Sequence, residues 1–72
     1  MKPKTMNLII KAVDRAREKH PNFAFIPACA VSIAAEELGE FAKEVNDGEP
    51  ERADEEALDL IAVLVRWLER DK

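Results

Sequence analysis

An all-α fold of three helices is what this sequence predicts, and three observations predict it. Among 72 residues only two are glycine and none is tyrosine, while Ala, Glu, Leu, Lys and Arg are abundant; these are good helix formers. The four prolines, Pro3, Pro21, Pro27 and Pro50, leave three uninterrupted segments. Within each segment apolar residues recur at helical spacing. No internal repeat or low-complexity tract interrupts them.

The first helix is expected from about Thr5 to Lys19, with Thr5 or Asn7 as its N-cap. Leu8, Ile9, Ala12, Val13 and Ala16 form the apolar stripe, and Lys11, Asp14, Arg15, Glu18 and Lys19 the wet face. His20-Pro21 ends it, because a residue before proline avoids the α region. The connection from Pro21 to Pro27 carries Phe23, Phe25 and Ile26, which are expected to fold under the bundle. Pro27 suits the first turn of a second helix, where its missing N–H leaves nothing unsatisfied. That helix should run from about Ala28 to Asn46 and stop at Asp47-Gly48, with the glycine left-handed. The third, from about Pro50 to Arg70, opens with Glu49, Glu51, Asp54, Glu55 and Glu56 at its positive end and closes with Arg66, Arg70 and Lys72 at its negative end. A loop this short makes the second and third helices antiparallel neighbours.

Length confines the chain to one domain, residues 1–72, whose own core supplies only a few kcal/mol. Metals, disulfides or partner subunits usually supplement so small a core. Cys29 is the sole cysteine, which excludes an intramolecular disulfide and leaves metal binding and oligomerisation. A net charge of −4 and an isoelectric point near 4.9 argue against nucleic acid or an anionic membrane as the main partner. No apolar run approaches the roughly 20 residues of a membrane span, and Met1-Lys2-Pro3-Lys4-Thr5 does not lead into a signal-peptide core. A cytoplasmic location is therefore expected, in keeping with the single thiol.

The placement of the acids points to chemistry. Turning the second helix by about 100° per residue with Glu37 at 0° puts Ala30, Ile33, Ala34, Leu38, Phe41 and Val45 between roughly 320° and 100°. Glu37 is thus inside the apolar arc, Glu40 at its edge near 300°, Glu44 within it near 340° and Glu36 on the polar side near 260°. With Glu56 set to 0° on the third helix, Ala53, Leu60, Val63, Leu64 and Trp67 span about 340° to 80°, and Asp59 sits at the edge near 300°. Each helix therefore aims one acid at the interior and carries a second acid one turn later. A single Glu-x-x-Glu is ordinarily a solvated face. Two such pairs on adjacent helices would bury mutually repelling carboxylates, which is costly unless a cation neutralises them. Mg²⁺, a hard ion that prefers carboxylate oxygens and keeps waters, answers that need.

The run Glu36-Glu37-Leu38-Gly39-Glu40, followed after fifteen residues by Glu56-Ala57-Leu58-Asp59, resembles the EExxE…ExxD signature of MazG-like all-α nucleoside triphosphate pyrophosphohydrolases. Ala-rich residues before the motif, Phe41-Ala42-Lys43-Glu44 after it and the aliphatic run past Asp59 match as well. The likeness extends over roughly Ala28 to Arg70. It implies Mg²⁺, with Mn²⁺ able to substitute, held by Glu37, Glu40, Glu56 and Asp59. Glu36 would be an outer support or would orient the attacking water, so Glu36, Glu37 and Glu40 are the catalytic candidates. The reaction implied converts a nucleoside triphosphate to its monophosphate and pyrophosphate. Relatives are usually longer, often with a helix after the ExxD helix, so a second subunit is the expected completion of the pocket. Leu58, Ile61, Ala62 and Val65 make the third helix apolar nearly all round, as in a helix buried on several sides. Two antiparallel hairpins are expected to form a four-helix bundle core, in a homodimer or homotetramer with the first helices outside.

Other residues carry weaker signals. Arg66 and Arg70, near the acidic edge of the third helix, are candidates for substrate phosphates, or plain helix-end cations. Lys43 is placed to pair with Glu40. Trp67 is read as core, His20 as a helix-end residue, Cys29 as a small buried thiol and Glu44 as a solvated acid. Two other functions stay open from sequence. One is a non-catalytic helical interaction module that retains the fold. The other is a narrow-specificity relative hydrolysing dUTP or phosphoribosyl-ATP.

Overall fold

The computed structural model describes residues 1–22 and 26–70; Phe23, Phe25 and Lys72, named above, lie outside the described residues. Three helices account for most of the chain: α1 (Pro3–Lys19), α2 (Pro27–Asn46) and α3 (Pro50–Leu68). No strand occurs among the described residues.

All three helices begin on a proline rather than on a side-chain cap. Pro3 pre-sets the helical φ and lacks the N–H that a first turn cannot use. That starts α1 two residues before Thr5, and neither Thr5 nor Asn7 is its cap. At the other end of the hairpin, Gly48 has φ 72°. Its N–H donates to the carbonyl of Val45 at 3.2 Å, and the Glu49 N–H reaches back to Glu44 O at 3.0 Å. This pair of bonds is a Schellman motif, and it reverses the chain within three residues. The third helix ends at Leu68, two residues short of Arg70, with Glu69 as its C-cap.

Helix α3 is the centre of the molecule. It packs against both α1 and α2, which do not pack against each other among the described residues. Pairings give the directions. Arg66 donates to Ala16 O, Arg17 pairs with Glu69 and Ala12 clusters with Ala62, so α1 runs parallel to α3. The α2 residues Ala30 and Ala34 share an apolar pocket with Leu64 and Trp67, while Glu37 sits near Glu56 and Asp59, so α2 runs antiparallel to α3. The order is up, down, up.

Alanine builds most of the core: Ala12, Ala30, Ala53 and Ala62 are buried together with Val13, and among the described residues no large side chain is fully buried. Small residues let helices approach closely but remove little apolar area from water. Leu58, Ala62 and Val65, one side of the apolar α3, are covered by α1 of the same chain. A third side of the hairpin, facing neither partner helix, is not covered. Leu64 and Leu68 on α3 and Val31, Leu38 and Val45 on α2 are exposed, Val31 at 68 %. The three α2 residues recur every seven positions and form one stripe. Cys29 is exposed rather than buried, because its neighbour Ala30, about 100° round the helix, takes the inward position.

Candidate metal centre

The hairpin brings the predicted acids together. Oxygens of Glu37, Glu56 and Asp59 lie within 4.8 Å of one another. Glu37 and Glu56 are half-buried, and one oxygen of each is fully enclosed with no hydrogen-bond partner among the described residues. Antiparallel pairing explains the meeting: each acid sits on the arc its helix turns toward the other, at facing positions along the two axes. Glu40 is exposed and stands outside the tight trio, but of the acids around Glu56 it does most to raise that residue's proton affinity. Glu36 is exposed and adds its charge to Glu37 from the cavity side.

Crowding of like charges shows in the proton affinities. Glu56 is pushed up from 4.5 to about 7, first by loss of solvent, then by the hydrogen bond and charge of Glu40, then by Asp59 and Glu37. Glu37 is raised by burial and by the charges of Glu40, Asp59 and Glu36, while its hydrogen bond with Glu56 works the other way. Below about pH 7 the cluster therefore favours a proton on Glu56.

One turn beyond Glu40, Glu44 is 14 % exposed in its side chain, and its Oε2 is enclosed without a partner. It is not the solvated helix-end acid expected. Lys43 bonds Asp47 at 2.9 Å and lies 3.8 Å from Glu44, so it does not pair with Glu40.

A cavity of about 530 Å³ opens beside the acids. Its floor is α3, with Asp59, Ala62, Val63 and Arg66; one wall is Ile33, Glu36 and Glu37 of α2. The facing wall is α1, with Arg15, Ala16 and Lys19. Within one chain, α1 thus supplies a wall for which a second subunit was expected. Arg66 is 9 % exposed, and its Nη1 donates to Ala16 O at 3.2 Å, which ties α1 to α3 beside the cavity. Arg70 is not among the lining residues; it stacks over the Trp67 ring at 3.6 Å and donates to Trp67 O at 2.6 Å. Trp67 is half-buried in the apolar pocket behind the hairpin, and His20 lies at the cavity's end.

Sequence reasoning placed Arg15 and Lys19 on the wet face, and both are exposed; what it did not give is that they also line the cavity. A signal was available: Lys19 and Arg15 fall about 20° and 60° from the buried Ala12 on the helical wheel, close to the inward stripe. Comparison with protein-family models, with curated proteins and with solved structures gives no match to this chain.

Proposed function

We propose that this chain is a Mg²⁺-dependent nucleoside triphosphate pyrophosphohydrolase of the MazG-like kind, releasing a nucleoside monophosphate and pyrophosphate. The observation that carries the reading is the convergence of Glu37, Glu56 and Asp59 from two helices, with an enclosed, partnerless oxygen on each of Glu37 and Glu56. The donor set suits Mg²⁺. All the donors are carboxylate oxygens, and their spread of at most 4.8 Å is close to the roughly 4.2 Å across an octahedral Mg²⁺ site. Glu40, beside Glu56, completes the four ligands. The EExxE…ExxD resemblance gives the same four residues.

Bound Mg²⁺ would neutralise phosphate charge and lower the proton affinity of a bound water, which are the main needs of phosphoryl transfer. The chain's own residues supply the rest. Glu36 and Glu40, both exposed at the cluster's margin, are positioned to accept a proton from the attacking water. Arg66 lines the cavity about two turns along α3 from Asp59 and is suited to contact phosphate oxygens. Trp67 and Arg70 lie outside the acid-bearing cavity, so a phosphate role for Arg70 has less support than one for Arg66.

The exposed stripe of Val31, Leu38 and Val45 with Leu64 and Leu68 supports a homo-oligomer in which two hairpins pack back to back as a four-helix bundle. On the wheel that stripe lies about 160° from the cavity side of α3, so assembly and substrate entry use different faces.

The test is pyrophosphate release from a panel of nucleoside and deoxynucleoside triphosphates, with and without Mg²⁺, for the parent and Glu37→Gln. Metal-dependent release that is lost in the variant supports the reading. No release from any nucleotide by a folded protein sinks it.

A further inference from the structure

The cavity carries opposite charges on opposite sides. Glu36, Glu37 and Asp59 line the α2–α3 side; Arg15 and Lys19 line the α1 wall, with Arg66 at the floor between. Elsewhere on the surface, close charges neutralise each other: Arg17 pairs with Glu69, and Lys43 with Asp47. Arg15 and Lys19 make no ion pair among the described residues. They face the acids across open space, at one end of a protein whose net charge is −4.

A ligand that satisfies both sides must bring both signs. A polyphosphate carrying a divalent cation does so, with its metal toward the acids and its outer oxygens toward the cations. A neutral ligand leaves both walls unmet, and a bare cation leaves the α1 wall unmet. The volume is within the range of about 300–1,000 Å³ typical of small-ligand sites.

We infer that Arg15 and Lys19 of α1, with Arg66 at the floor, form an anion subsite that takes the terminal phosphates of a nucleoside triphosphate and then the pyrophosphate product. The inference rests on the pyrophosphohydrolase reading for its substrate, but its binding is measurable without turnover. Spacing of i, i+4 sets the two α1 cations one above the other, as a chain of phosphates requires. The bond from Arg66 to Ala16 O holds that segment of α1 in place before any ligand arrives. Arg15 and Lys19 are positioning residues for the leaving group, not for the attacking water.

The experiment uses the full chain with Mg²⁺ and inorganic pyrophosphate as the titrated probe, read by calorimetry, alongside KM and kcat for the best nucleotide. Arg15→Ala/Lys19→Ala is compared with Lys4→Ala/Lys11→Ala, which removes the same charge from α1 positions outside the cavity lining. All four side chains belong to exposed residues, so both variants should fold. The expected result is pyrophosphate affinity weaker by about tenfold or more in the first variant, with a matching rise in KM and an unchanged control. A parent that hydrolyses nucleotides, with equal affinity and KM in the two variants, overturns the subsite and leaves the hydrolase reading intact. Loss of pyrophosphate binding in the first variant alone, with no hydrolysis by the parent, keeps the subsite and removes the reaction. A parent that binds no pyrophosphate overturns the inference outright.

Discussion

Replacing Glu56 by glutamine is expected to stabilise the metal-free protein while abolishing the proposed hydrolysis. In the folded chain Glu56 keeps its proton up to about pH 7, against an ordinary value of 4.5. Between those two values the folded state binds more protons than the unfolded state, so stability falls as pH rises through that window. Above about pH 7 the penalty is complete. Taken at face value the difference corresponds to about 3 kcal/mol. Solvent reaches part of the cluster, and screening reduces the effect to about 1–2 kcal/mol. Glutamine carries no charge and so avoids the penalty. At pH 8 in EDTA the variant should melt higher than the parent, by about 4–8 °C for each kcal/mol in a domain of this size. At pH 4.5 the two should coincide, since both are neutral at this position. On the proposed Mg²⁺ site, Mg²⁺ should reverse the order at pH 8, because binding to the ionised acids of the parent would stabilise it by mass action, about 2.7 kcal/mol at a hundredfold excess over Kd. Thermal unfolding at pH 4.5, 6 and 8, at one fixed protein concentration, with EDTA or Mg²⁺, reads all of this. A variant less stable than the parent at pH 8 in EDTA, or a difference independent of pH, would show that the acids do not strain the fold and would refute the argument.

Three further outcomes follow from the same structure. Ala62→Leu should cost about 1–3 kcal/mol by overpacking, because Ala62 is 3 % exposed between α1 and α3; urea denaturation that leaves the midpoint unchanged would count against that packing. Gly48→Ala should lose about 1 kcal/mol, since a side chain disfavours φ 72° even though nothing crowds the position; the same denaturation measures it. Leu38→Lys/Val45→Lys should shift sedimentation from oligomer to monomer, because both side chains stand in the exposed stripe, and a parent that is already monomeric at micromolar concentration would end the oligomer reading.

Much of the helical layout was legible because its determinants are local. Pro27 and Pro50 mark two starts, and Gly48 supplies the left-handed stop of α2. The inward aim of Glu37 and Glu56 was legible too, since a helical wheel needs only spacing. Errors arose where the partner of a residue lay on another element or in the next turn. Lys43 chose Asp47 over Glu40, and Glu44 was enclosed rather than solvated. Cys29 turned outward although small thiols are usually buried. Each outcome depended on which neighbouring position the packing had already filled.

By itself, the sequence determined three helices, their punctuation and the faces that carry acids, because those follow from φ preferences and a period of 3.6 residues. Only the tertiary structure decided that α3 is the central helix and that α1 lies parallel to it. Only the tertiary structure, likewise, set Arg15 and Lys19 opposite Glu37 and Asp59. The α1–α3 contacts join residues 50 and 52 positions apart, Ala16 with Arg66 and Arg17 with Glu69, and no local spacing encodes them. They come from close packing of Ala12 on Ala62, which selects one approach of two helices among several that the same apolar stripes allow.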